Sequence, residues 1–428
     1  MRALSGVIAL LASMAGAAEL PDPDAPFMQT DMAEVQLGHL LFYDPILSGN
    51  RTVACATCHH PDHATTDGVS LGLGDGATGL GPSRQVDPQN PPEQRIPRNA
   101  QALFNLGALE YRRFFHDGRV EVLPDGLRSP LGRGMHQGAR NALAAQSMLP
   151  VLSGDEMAGH YSENDVAQAV RQGLIDSPGG AWSLLAARVA AIPAYRDRFA
   201  ALQGDREIRF ADIANALAAF IAFEWRAVDS PFDRFLRNDA ALPALAAEGL
   251  TLFYGEAGCA TCHSGLFQTD HSFHAIAMPQ LGPGKAARFE NHTRDVGRLR
   301  VTGDAADSYA FRTPSLRNVA QTGPYGHAGA FATLESVIRH HLDPVASLQG
   351  YDGAQAQLPE LPGANDFKVA RDGAELQAMI AANVLPPKAL SAQDIRALVA
   401  FLEALTDEAS LQGRLGVPDA VPSGLPVP

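Results

Sequence analysis

The segments "CATCHH" (Cys55–His60) and "CATCHS" (Cys259–Ser264) hold all four cysteines of this 428-residue chain. Each is C-x-x-C-H, the attachment sequence for c-type haem: two thiols that form thioethers to the porphyrin, followed by an imidazole held beneath the iron. Cys55, Cys58 and His59 therefore form one haem site, and Cys259, Cys262 and His263 a second. A four-cysteine zinc site needs no histidine after each pair. A redox dithiol needs a βαβ setting that the sequence lacks.

Similar elements surround the two motifs. An amphipathic segment ending in an aromatic precedes each, "MAEVQLGHLLFYDP" before the first and "LAAEGLTLFYGEAG" before the second. "FADIANALAAFIAFEWR" carries a stripe at Ile213, Leu217, Phe220 and Ile221 that would close the first unit. The helix N-capped by Ser391, with Asp394 in its first turn and a stripe at Ile395, Leu398, Val399, Leu402 and Leu405, would close the second. Strand signals are few, and 30 prolines and 40 glycines imply long irregular connections. The expected fold is mainly α, with two cytochrome c-like domains, one covalent c-type haem in each, and long loops. We place a leader at 1–18, an N-terminal domain at 19–237, a C-terminal domain at 238–415 and a disordered Pro-rich tail at 416–428.

The leader assignment rests on Arg2, an apolar run from Val7 and the small residues Ala15, Gly16 and Ala17, with a mature start near Ala18 or Glu19. It implies export to the periplasm. No later run reaches the ~18 apolar residues of a membrane span. A formal net charge of −14 argues against nucleic acid as a partner and permits docking to a basic protein. "GDGATG" (Gly74–Gly79) matches a nucleotide-loop pattern but follows a haem motif rather than a strand, so that reading is dropped.

"FYDPILSGNRTVACATCHHP", "FFHDGRVE" and "FRTPSLRNVAQTGPYGHAGAFATLESVIRHH" resemble the bacterial di-haem cytochrome c peroxidase family, which includes the MauG-type protein oxidases. The similarity runs from about Leu37 to about Leu405. It implies that peroxide meets the N-terminal haem while the C-terminal haem carries electrons. The family has Met or Tyr as second ligand of that haem; here the position is His341. On the helix N-capped by Thr333, His341 continues the face of Leu334, Val337 and Ile338, with His340 as the alternative ligand.

The resemblance further implies a distal acid–base carboxylate, Glu156, preceded by Gln146 and Pro150; the plain alternative is an acid at a solvated helix start beside Asp155. It implies a calcium ion held by Asn99, Thr322 and Pro324, chemically apt as hard oxygen donors. Two departures stand out. The histidine that blocks the first iron in many peroxidases is replaced by Asp75, and the usual inter-haem Trp by His116, with Tyr325 one substitute path. The stretch 117–146 is longer than the pattern, "RSPLGRGMHQGARN" being the insert, read as a surface loop with a lid as alternative.

The leading expectation is a peroxidase reducing H2O2 with electrons from a small cytochrome c or cupredoxin. A MauG-like oxidase acting on a partner protein and a non-enzymatic di-haem carrier are the alternatives. Dimers are common in the family, which makes a homodimer the expectation by analogy.

Overall fold

The computed structural model describes residues 18–132, 137–160, 163–285 and 292–428. All but the last residue of the expected leader lies outside the described residues, as do Arg133–His136 of the insert. The chain is mostly helical, with three small antiparallel sheets.

Six helices matter for the site: α1 (Met32–Tyr43), α2 (Ala142–Ser147), α3 (Phe210–Glu224), α4 (Ala244–Tyr254), α5 (Leu334–Leu342) and α6 (Ala392–Glu403). Helix α1 starts at Asp31, whose carboxylate accepts the Ala33 and Glu34 amides. Helix α6 starts in a reciprocal cap: Ser391 Oγ accepts the Asp394 amide at 3.1 Å and Asp394 accepts the Ser391 amide at 2.8 Å.

Helices α1 and α3 cross, and so do α4 and α6, by the same device. A Cβ on Gly38 would collide with the Ala216 carbonyl; one on Gly249 would collide with the Ala397 carbonyl. Only glycine lets the backbones approach so closely. One turn further, Phe42 meets Phe220 at 5.2 Å and Phe253 meets Phe401 at 5.0 Å. "GHLLF" on "ALAAF" and "GLTLF" on "ALVAF" are therefore one packing unit used twice.

Each crossing anchors a separate apolar cluster. The first gathers Leu41, Phe42, Phe220 and Trp225; the second gathers Phe232, Phe253, Leu398 and Phe401. Of the stripe expected on α6, Ile395, Leu398 and Leu402 are buried, Val399 is partly exposed, and Leu405 is buried just past the helix end.

The tail from Gly416 to Pro428 departs from expectation. It lacks regular structure, as its prolines dictate, yet it lies against the first unit. The Leu415 and Gly416 amides donate to the buried Glu224 carboxylate at 2.9 Å, and Ser423 Oγ donates to Asp44 at 2.7 Å. Val421 is buried, and Leu425 and Val427 pack on the first core. Composition signals disorder only where a segment has nothing apolar to bury; these three residues do.

Candidate functional site

At the first motif a short helix, Cys55–Cys58, leads into His59. His59 Nδ1 lies 2.9 Å from the Thr65 carbonyl. A carbonyl only accepts, so Nδ1 carries the proton and Nε2 presents its lone pair. The Gln101 carbonyl also approaches this ring. The second motif repeats the arrangement, with His263 Nδ1 3.0 Å from the Gln268 carbonyl. In both loops a non-glycine residue adopts left-handed backbone to aim that carbonyl, Thr65 at φ 62° and Gln268 at φ 48°. Such strain persists where its surroundings enforce it, commonly at functional sites. Burial pushes the Cys55 and Cys58 thiols up to about 12 and Cys259 to about 11, away from thiolate character. Cys55 packs on the first core and Cys259 on the second, so the four sulfurs do not form one zinc site.

Helix α5 delivers His341 to the second motif. The rings of His263 and His341 are 6.4 Å apart, centroid to centroid, at 56°. His341 Nδ1 donates to the Val337 carbonyl at 2.8 Å, which again leaves Nε2 as the lone-pair nitrogen. A metal–imidazole bond is about 2 Å and a ring nitrogen lies about 1 Å from its centroid, so two rings facing one ion stand about 6 Å apart. His340, the alternative ligand, is engaged elsewhere. It is fully buried and committed, with Nδ1 3.1 Å from Ser347 Oγ and Nε2 2.9 Å from the Ile276 carbonyl. Burial lowers it to about 3, so it is a neutral packing histidine.

Among the described residues no second imidazole is seen paired with His59 as His341 is with His263. Glu156, on the helical turn Gly154–Ala158, is close enough to act electrostatically on both Cys58 and His59. Lys285 Nζ lies 3.8 Å from its Oε1. Gln146, on α2, has a buried Oε1 with no hydrogen-bond partner, and Pro150 opens the next turn. The Gly72–Gly76 loop backs Glu156: the Asp75 amide donates to the Glu156 carbonyl at 3.2 Å, and a Cβ on Gly74 would strike the Asp155 carbonyl. Arg84 pins this loop through the carbonyls of Leu73, Gly74 and Gly79. The Asp75 carboxylate is held by Thr52 at 3.0 Å and Asn50 at 2.7 Å, next to Glu163, and burial raises it.

Between the motifs, Asn99 Nδ2 donates to the Val69 carbonyl at 2.8 Å and its amide N–H to the His327 carbonyl at 2.9 Å. His116 Nε2 lies 3.1 Å from the Asn99 carbonyl, and burial followed by the charge of Arg98 lowers it to about 3. Arg98 bridges Asp117 at 2.7 Å and Asp295 at 2.7 and 2.8 Å. Thr322 and Pro324 flank the neighbouring turn, where the Tyr325 hydroxyl donates to Val319. Trp182 donates to the Met148 carbonyl and Trp225 packs on Phe42 and Phe220, so both serve the first core.

A family profile described as "Di-haem cytochrome c peroxidase" matches residues 32–241. The MauG methylamine utilization protein of Paracoccus denitrificans is 32% identical over 94% of each chain. The cytochrome c551 peroxidase of Nitrosomonas europaea is 30% identical over 72% of each. The chain belongs to the di-haem cytochrome c peroxidase family. A crystal structure of a MauG-like protein associated with microbial copper homeostasis superposes with a TM-score of 0.56 at 26% identity, covering 94% of this chain and 97% of that one.

Members of this family are haem oxidoreductases, and their names span both peroxidases and MauG. The residues fit two haems on geometric grounds: two imidazoles with fixed tautomers facing one another at the second motif, and at the first a single imidazole with a fixed tautomer and the Glu156 carboxylate near enough to act on it. Reading the sequence missed Lys285 and Arg98. Neither carries a motif, and both act on residues far away in the chain.

Proposed function

We propose that the chain is a c-type di-haem peroxidase, with covalent haem at Cys55/Cys58 and at Cys259/Cys262. It reduces H2O2 with two protons and two electrons to two waters. The asymmetry of the two sites carries this reading: one imidazole within electrostatic reach of a carboxylate at the first, two opposed imidazoles at the second. The haems supply the redox chemistry when bound. His59 would hold the first through Nε2, because Thr65 keeps the proton on Nδ1. Glu156 takes the proton from the near oxygen of peroxide and returns it to the departing one, the work of a positioned acid–base group. Gln146 Oε1, buried without a partner, is the acceptor that orients peroxide or the water it displaces. His263 and His341 cap the second site, which favours electron relay over substrate binding.

Electrons come singly from a small redox protein. The leader sequence places the protein in the periplasm in this reading, and among the described residues no helix is long and apolar enough to cross a membrane. Asn99, with Nδ2 occupied at Val69, would turn Oδ1 toward a calcium ion completed by the Thr322 and Pro324 carbonyls.

A MauG-like action on a partner protein is the second reading, favoured by the non-methionine ligand His341 and by Asp75, whose carboxylate is tied to Asn50 and Thr52. Turnover separates the two. Steady peroxide consumption with a reduced cytochrome c, slowed about 10²–10⁴-fold in Glu156→Gln, supports the first. Negligible consumption, with a partner gaining mass in oxygen steps, supports the second. Two six-coordinate haems inert to peroxide would overturn both.

A further inference from the structure

Glu156 and Lys285 come from opposite halves of the chain. Glu156 rides on the turn Gly154–Ala158, whereas Lys285 ends the "QLGPGK" loop that follows the second motif. Their side chains are 23% and 24% exposed, and Nζ lies 3.8 Å from Oε1. The other charged groups facing Lys285 are Arg119, Arg98 and Asp117. Asp117 bonds both arginines, and Asp295 takes the remaining face of Arg98. Two guanidiniums and two carboxylates balance in charge there, and Arg119 also lies near enough to feel Glu156. Lys285 is the cation that stands at ion-pair distance from Glu156.

We infer that Lys285 is a positioning residue: it holds the Glu156 carboxylate in its working direction over the first haem site, so that the acid–base group is completed only when the two halves of the chain are docked. The inference rests on the reading of Glu156 given above. A glutamate has three side-chain torsions, and a carboxylate free to rotate would face peroxide only part of the time. A lysine anchored from the other unit removes that freedom. Burial, then the nearby Arg119, lowers Lys285 from its ordinary value. The ion pair is therefore complete below that lowered value and is lost as pH rises through it.

The test uses the protein with both haems attached, in the variants Lys285→Met, Lys285→Arg and Glu156→Gln. The rate of reaction with peroxide is followed by stopped flow between about pH 6 and pH 10, the range bracketing a depressed lysine. Infrared difference spectra report the carboxylate band of Glu156, assigned by its disappearance in Glu156→Gln. Lys285→Met should slow the reaction at neutral pH about tenfold or more and shift that band. Lys285→Arg should stay within about threefold of the parent and lose the alkaline fall in rate, because guanidinium remains charged there.

A Met variant with parental rate and band would overturn the inference. So would one that alters only the haem midpoint potentials, since Lys285 would then be serving a porphyrin carboxylate. If Lys285→Met does not fold, an alkaline fall persisting in Lys285→Arg is sufficient to reject it. If Glu156→Gln reacts as fast as the parent, the proposed role of Glu156 fails, while the infrared band still reports whether Lys285 touches it.

Discussion

Replacing Arg98 with Met should invert the way stability responds to acid. Arg98 reaches from the first half of the chain to Asp295 in the second through two bonds, 2.7 and 2.8 Å, and it also holds Asp117. All three side chains are buried. Asp295 is depressed to about 2, against an ordinary 3.8; its burial opposes this and the charge of Arg98 leads the groups that favour it. A depression of about two units corresponds to about 2.5 kcal/mol of stability at neutral pH, present above the unfolded value and lost as pH falls through about 4 toward 2. The parent protein therefore weakens on acidification across that window. In Arg98→Met the cation is gone and the burial remains, so the folded value of Asp295 rises above the unfolded one. Removing one partner of a buried pair costs about 3–5 kcal/mol. That loss should be greatest at pH 7 and partly relieved toward about pH 4.5, where the buried carboxylate takes up a proton. Guanidinium denaturation at the two pH values measures it directly. A variant that loses under about 1 kcal/mol at neutral pH, or that weakens on acidification as the parent does, refutes the reasoning.

Four further outcomes follow from the geometry. His341→Ala should abolish the low-spin bis-imidazole signal in EPR, while His340→Ala, whose ring is bonded to Ser347 and Ile276, should keep that signal and lose stability. Gly38→Ala and Gly249→Ala should each cost about 1–3 kcal/mol or more in denaturation midpoints from steric conflict at the helix crossings. Gly373→Ala, with no neighbouring atom to strike, should be neutral or stabilise by about 0.4–1 kcal/mol. Ser423→Ala should cost about 1–3 kcal/mol, because Asp44 is fully buried and loses the hydroxyl that meets it at 2.7 Å.

Much of the site could be read without coordinates because its chemistry is local. A C-x-x-C-H segment announces itself, and Ser391, Asp394 and Thr333 mark helix starts within one turn of their partners. The twin crossings were half legible: the amphipathic helices show in the pattern, but the reason for Gly38 and Gly249 lies in Ala216 and Ala397, on helices far along the chain. Helical periodicity sets His341 on the face of Leu334, Val337 and Ile338, yet it does not say what His340 meets, since Ile276 and Ser347 belong to other elements. Lys285 was invisible for the same reason. A cation at the end of a glycine-rich loop has no periodic signature, and its partner is set by how two units dock. Proline content masks the packing of the tail, because the core that takes Val421, Leu425 and Val427 is built from residues far away in the chain.

The exchange of chain ends has a consequence for the integrity of the molecule. Ala18 donates its amide to the Tyr254 carbonyl at 2.8 Å, on the first helix of the second unit, while the last stretch runs home over the first unit as far as His60, the neighbour of His59. Each half is thus covered in part by a segment that belongs to the other side of the chain. A single cut between the two units would leave two fragments still clasped, whereas the halves expressed separately would each lack a piece of their own wrapping.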